Sequence, residues 1–284
     1  MTLKSSSHKH KGKRAYIESD TKRKYMHMNK QFYYGKYIFI LIPFVILAML
    51  IFLLNNKETN EMLAMSTVTW ILIFKAVVFT ILRISIALCL SFIFAFLLAL
   101  LVTGNKKVET ILLPIFDVLE SVPILAFFPI IITFFLSVNM LNVAAIFVIF
   151  ITMLWSMLFT VIGGIKLIPE DIKDAAQVFG IKNLNYIRYV LFPSVIPELV
   201  TGTILSVASG WNIIIVAEVM HVYIKGGDMS TDLLGIGSLL VNSITTGNTN
   251  LFYIILFILV VIIGIINITI WQRLLTYAEK FRFE

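Results

Sequence analysis

The residues best suited to hold a metal do not converge. His8, His10 and His27 lie in a polar N-terminal stretch, His221 lies far along the chain, and the single cysteine, Cys89, sits in an apolar run. None of this matches a metal-site spacing, and one cysteine permits no intrachain disulfide. Cys89 is expected to be a small buried apolar residue. The phosphate-cradling pattern of a Gly, four residues, then Gly-Lys-Ser/Thr is missing, since Gly163-Gly164-Ile165-Lys166 has neither the spacing nor the hydroxyl. No Ser-His-Asp set or carboxylate pair stands out. The chain is therefore expected to carry no catalytic residue, no metal ligand and no cofactor, and any energy source must be a partner or an ion gradient. What remains is ionisable side chains in or beside apolar runs: Arg83, Glu120 and Glu218. In lipid such groups mark a pathway or pair with one another, so all three are candidates for a solute pathway or for packing. Pro123 joins them as a kink or gate, and Trp211 as a packed aromatic or a solute contact.

A second constellation lies between two apolar runs. Pro169 is placed to open a helix, because its missing N–H is not needed there. Glu170, Asp171 and Asp174 follow, where carboxylates favour the positive end of the helix dipole. Ile172, Ala176 and Phe179 are spaced as one apolar face, and Gly180 is free to end the helix in the left-handed conformation. A second short helix over 183–191 leads to Pro193, where the next apolar run begins. The expected object is a rigid helix–turn–helix that exposes Ala175 and Ala176, small enough for another backbone to approach.

The elements that must carry these residues are membrane helices. Of 284 residues, 59% are hydrophobic and 14% charged, against about 45–50% and about 25% in a soluble domain. Long uncharged runs concentrate the excess. Six segments have the roughly 20-residue length of a span: 37–54, 84–103, 111–136 (with Pro114, Pro123 and Pro129), 143–162, 195–220 and 251–270. They are unbroken and do not alternate, which predicts an all-α polytopic protein. The stretch 67–83 is read as interfacial or as a helical extension, and 221–250, with five glycines beyond His221, as a re-entrant or turning segment.

Charge sets the orientation. With the N-terminus inside, the inner segments hold nineteen Lys and Arg and the outer loops only Lys57 and Lys225. That asymmetry puts both termini in the cytoplasm of a cell that inserts the chain into its plasma or inner membrane. Residues 1–36 hold ten basic and two acidic residues and read as a disordered cytoplasmic tail. Just before a span, such a tail fixes orientation or touches anionic lipid; no folded nucleic-acid module accompanies it, so no nucleic-acid partner is expected. Residues 37–66 then form a first span and outer loop, and 67–284 the core, with the cytoplasmic loop at 164–194.

Asp174-Ala175-Ala176, three residues, Gly180, nine residues and Val190-Leu191-Phe192-Pro193 resemble the EAA loop of ABC-importer permeases. Asp stands for the family's Glu, Val for Ile and Phe for Leu. Flanking stretches resemble the same family: Thr80-Ile81-Leu82-Arg83, Ser121-Val122-Pro123-Ile124-Leu125-Ala126 with Pro129, and Gly202, Trp211, Ala217-Glu218 and Gly235-Ile236-Gly237. The subgroup is similar to the nitrate, sulfonate and taurine type, and to anion permeases that fuse two such units, of which this chain holds one. The resemblance implies a type I importer core and a permease for a small anion. It implies as partners a second permease copy, identical or not, an external solute-binding protein and an ATP-binding subunit that grips the EAA helix. Ala175, Ala176 and Gly180 would allow close docking, Asp174 would cap or orient the helix, and Pro193 would fix where the loop rejoins the membrane. Two other classes compete. An ion-driven secondary transporter usually shows inverted repeats and midplane charges, and a membrane scaffold has no need of a rigid Ala-Ala–Gly loop.

Overall fold

The computed structural model describes residues 67–224, 227 and 231–281. The basic tail and the first span, 37–54, lie outside the described residues. Helix α1 (Thr67–Thr103) is followed by α2 (Lys106–Ser121), α3 (Ile124–Ser137) and α4 (Leu141–Lys166). Then come α5 (Glu170–Val178) and α6 (Asn183–Tyr186), which passes through a π-helical turn (Ile187–Leu191) into α7 (Phe192–Ser194). Helix α8 (Ile196–Glu218) leads through a 3-10 turn (His221–Tyr223) to α9 (Ile236–Thr245), and α10 (Thr249–Ile266) runs through a second π-helical turn into α11 (Gln272–Ala278). Among the described residues there is no strand.

Four helical runs are long and apolar enough to cross a membrane: Thr69–Thr103, Leu141–Lys166, Ile196–Glu218 and Thr249–Phe281. The stretch 67–83 is thus a helical extension of α1. The expected span 111–136 is not one helix. Helices α2 and α3 meet at 82°, and the cause is local. Val122, before Pro123, takes an extended ψ of 121°, because the proline ring disfavours a helical conformation in the preceding residue. Pro114 and Pro129 lie inside α2 and α3 without breaking them.

Helix α4 is the centre. Half of its apolar window is buried, against 28% for α1 and 6% for the α10 run. It packs on α1 and α8. On α1, Ala76, Thr80, Ala87, Ser91, Ala95 and Ala99 are buried, at the four- and seven-residue spacing that gives a helix one face. Small residues on that face let helices approach where lipid provides no hydrophobic drive. Ser91 and Ser206 donate to the backbone carbonyls of Phe150 and Met153, tying α1 and α8 to α4. Gly202 of α8 is required by contact: a Cβ there would lie 2.2 Å from Thr160 Oγ1. Cys89 is exposed, not buried; it lies about 200° round α1 from buried Ala87.

Candidate functional site

The loop after α4 is a closed, rigid unit. Pro169 precedes α5 with an extended ψ of 142°. At the other end the Ile181 N–H donates to Ala176 O at 2.9 Å and the Gly180 N–H to Gln177 O at 3.0 Å, the paired bonds of a Schellman cap. Gly180 sits at φ +68° with nothing within 4 Å of a built Cβ, so the left-handed backbone is what requires a glycine. Pro193 lies in α7; it has no N–H to offer the carbonyl of Tyr189, and the preceding turn widens to π geometry. The expected plain α-helix over 183–191 is therefore α6 plus that turn.

Three expectations for this loop are corrected. Ala176 is buried, 4% exposed, and with half-buried Ile172 it forms the inward face; only Ala175 of the pair is exposed. Phe179 does not join that face but projects, 80% exposed, just past the helix end. Asp174 lies in mid-helix and does not cap it, the cap position being Pro169. Among the exposed residues of α5, Asp171, Asp174, Ala175 and Val178 cover roughly 100° of arc, and Glu170 and Gln177 extend the exposed surface on one side. The outward surface is thus acidic with one small residue, and ends in the apolar tip Val178–Phe179. Apolar periodicity alone does not reveal such a mixed face.

The loop is rooted in the spans. Gly164, near the end of α4, is buried, and a Cβ on it would lie 2.6 Å from Val195 Cγ1 and 2.8 Å from Glu198 Cβ. Both strands of chain leading to and from α5 are therefore in contact where they enter the bundle.

At the far end of α4 and α8 lies a buried ionic clasp. Glu218 is fully buried. Its Oε1 accepts from Arg83 Nη1 at 2.8 Å and from Thr80 Oγ1 at 2.7 Å, and its Oε2 accepts from the Gly237 N–H at 2.8 Å. Arg83 also donates from Nη1 to Leu234 O at 2.9 Å, and from Nη2 and Nε to Asn142 Oδ1 at 2.9 and 3.2 Å. The Thr80 hydroxyl in turn accepts from the Ile236 N–H at 3.0 Å. One carboxylate and one guanidinium thereby join α1, the start of α4, the end of α8 and the start of α9. No buried side-chain polar atom among the described residues lacks a partner, which is what lets the charges stay buried. Gly235 is required by its neighbour: a Cβ would lie 2.1 Å from Glu218 Cδ. Beside the clasp, Asp232 Oδ1 accepts from the N–H groups of Met220 and His221 and so ties position 232 to the end of α8.

The structure separates the other candidates from this cluster. Glu120 is exposed on α2, and the ion pair of Arg83 is with Glu218. Pro123 is exposed at the α2–α3 break. Trp211 is half-buried on α8 against the apolar core. Asn142, which the sequence reading overlooked, had one signal: a primary amide opening an apolar run. Among the described residues no group of three or more His, Cys, Asp or Glu side chains is placed to hold a metal ion.

The chain is similar to known proteins. The chain is 37% identical over 107 residues to a nitrate import permease protein from Synechococcus elongatus, covering 38% of this chain and 37% of that one. It is 33% identical over 127 residues to a bicarbonate transport system permease protein from the same species, 45% of each. It is 25% identical over 138 residues to the taurine transport system permease protein of Escherichia coli, 49% of each. The chain thus aligns with less than half the length of these relatives. An inward-facing structure of the MetNI methionine ABC transporter superposes with a TM-score of 0.61 at 17% identity, covering 75% of this chain and 99% of that one, and shows the same fold. The family model for the binding-protein-dependent transport system inner membrane component matches residues 91–277, from the middle of α1 through α5 and α8 to α11, and the chain belongs to that family.

Proposed function

We propose that the chain is the membrane-spanning permease subunit of an ATP-driven importer. It works as one of a pair, with an ATP-binding subunit under α5 and a solute-binding protein at the clasp end. The observation that carries this reading is the rooted helix: a Schellman-capped α5 with an outward face of Asp171, Asp174, Ala175 and Val178, held where Gly164 meets Val195 and Glu198. A rigid helix seated in a moving partner transmits rigid-body displacement and not bending. That displacement passes into α4 and α8 together, because the two are locked over their length, and the clasp at their other end moves with them. In this reading the loop faces the cytoplasm, an orientation that the charge asymmetry supports.

The solute is a small anion of the nitrate, bicarbonate or taurine class, a reading supported by the relatives. Arg83 does not offer it a free charge, since Glu218, Asn142 and Leu234 engage the guanidinium. The test is affinity purification of the tagged chain in mild detergent, beside Ala175→Trp, which fills the outward face without touching the cap. An ATP-binding subunit should come down with the native chain and be lost with the variant. Equal recovery of an ATPase with both chains, or with neither, overturns the docking assignment. Uptake of labelled nitrate, bicarbonate and taurine in cells carrying and lacking the gene then identifies the solute.

A further inference from the structure

A cavity of about 760 Å³ opens between the loop and the ends of the spans, and the importer reading makes no use of it. Its inner wall is apolar, made by Leu100 of α1, Ile165 of α4 and Leu191 of the π turn; its rim carries Lys106, Lys166, Lys173 and Lys182 against the single acid Glu109. Two of these lysines are already engaged. Lys166 pairs with Glu109 at 2.5 Å and Lys173 with Glu170 at 2.9 Å. Lys106 and Lys182 take part in no ion pair among the described residues, and both are exposed. Thr103, Gln177, Asn183 and Tyr186 add neutral hydrogen-bonding groups, and the first turn of α2, whose dipole favours an anion although Asn105 already accepts from the Lys107 N–H, borders the same space. Like charges gathered over an apolar wall, where the spans leave the hydrocarbon, repel one another until an anion neutralises them.

We propose that this cavity binds a phosphate-bearing anion, either the headgroup of an anionic phospholipid or free phosphate, held by Lys106 and Lys182 with Lys173 in support. The bound group braces α5 and α6 against the ends of α1 and α4. The site lies apart from the outward face of α5: Lys173 is about 160° round the helix from Ala175. The proposal therefore stands whether or not an ATPase seats on that face.

The experiment is hydrogen exchange on the full chain, with whatever subunits copurify. It is run in nanodiscs of phosphatidylcholine, of phosphatidylcholine with phosphatidylglycerol, and of phosphatidylcholine with added inorganic phosphate. Lys106→Gln/Lys182→Gln and, as a charge control outside the cavity, Lys280→Gln are run in parallel. Amides of 173–187 should exchange about tenfold more slowly in the presence of the right anion, the suppression of opening expected at roughly ten times Kd. Slowing by phosphatidylglycerol alone identifies a lipid headgroup; slowing by phosphate in phosphatidylcholine identifies a free anion. Either effect must vanish in the double variant and persist in Lys280→Gln. No slowing in either arm, or equal slowing in the double variant, overturns the proposal.

Discussion

At the scale of single residues, the Arg83–Glu218 pair does the most with the least. Each side chain has several partners, so removing one leaves the other charged and unpaired in a buried site. Glu218→Ala or Arg83→Ala should each cost about 3–5 kcal/mol, whereas Arg83→Met/Glu218→Leu should cost clearly less than the sum of the two, because no orphan charge remains. Thermal unfolding of the purified chain in detergent, followed by the loss of its monodisperse elution peak, measures all three. Gly235→Ala acts on the same cluster without removing a charge. The new methyl must displace a carboxylate 2.1 Å away, and a loss of about 3 kcal/mol is expected from overpacking with the clasp disturbed. A variant as stable as the native chain would show that α9 can back away from Glu218 freely.

At the scale of elements, the break between α2 and α3 follows from one proline. Pro123→Ala frees Val122 to become helical and should join the two helices. Spin labels at positions 111 and 134, placed in a Cys89→Ser background, then move from about 25 Å apart in the bent pair towards about 35 Å in a straight helix of that length. An unchanged distance would assign the bend to tertiary packing and not to the pre-proline residue. This element also marks the limit of sequence reading. Three prolines in 111–136 were equally eligible to break the run, and only Pro123, whose preceding residue Val122 is extended, does so. The other spans among the described residues were legible because a lipid solvent enforces uncharged length. The capped loop was legible because Pro169 and Gly180 carry their backbone requirements with them. Which way Ala176 and Phe179 face was not, since the inward side of α5 is set by the tertiary packing of Ile172 on the buried core.

At the scale of the whole molecule, the two assemblies stand at opposite ends of one slab, α4 packed on α8. The helical part of α4 is 26 residues, roughly 39 Å of axis, enough to put loop and clasp on opposite sides of a bilayer. A cysteine at Phe179 should thus react with a membrane-impermeant maleimide only in inside-out vesicles, and one at Val222 only in intact cells, both in the Cys89→Ser background. Labelling of both from one side would break the topology. The clasp itself was hidden from the sequence at this scale: Arg83 and Glu218 are 135 positions apart, and each alone reads equally well as a pathway residue. What joins them is the three-dimensional crossing of α1 with α8, which no spacing rule encodes.

The same separation has a consequence for biogenesis. During synthesis Arg83 enters the bilayer with its helix long before Glu218 leaves the ribosome; at about 5–20 residues per second the wait is about 7–27 s. For that interval the nascent N-terminal half holds an uncompensated cation at the membrane, kept there by snorkelling, water or the insertion machinery. Maturation is therefore gated by the arrival of α8, and chains stalled before it are the forms a membrane quality-control protease should meet first.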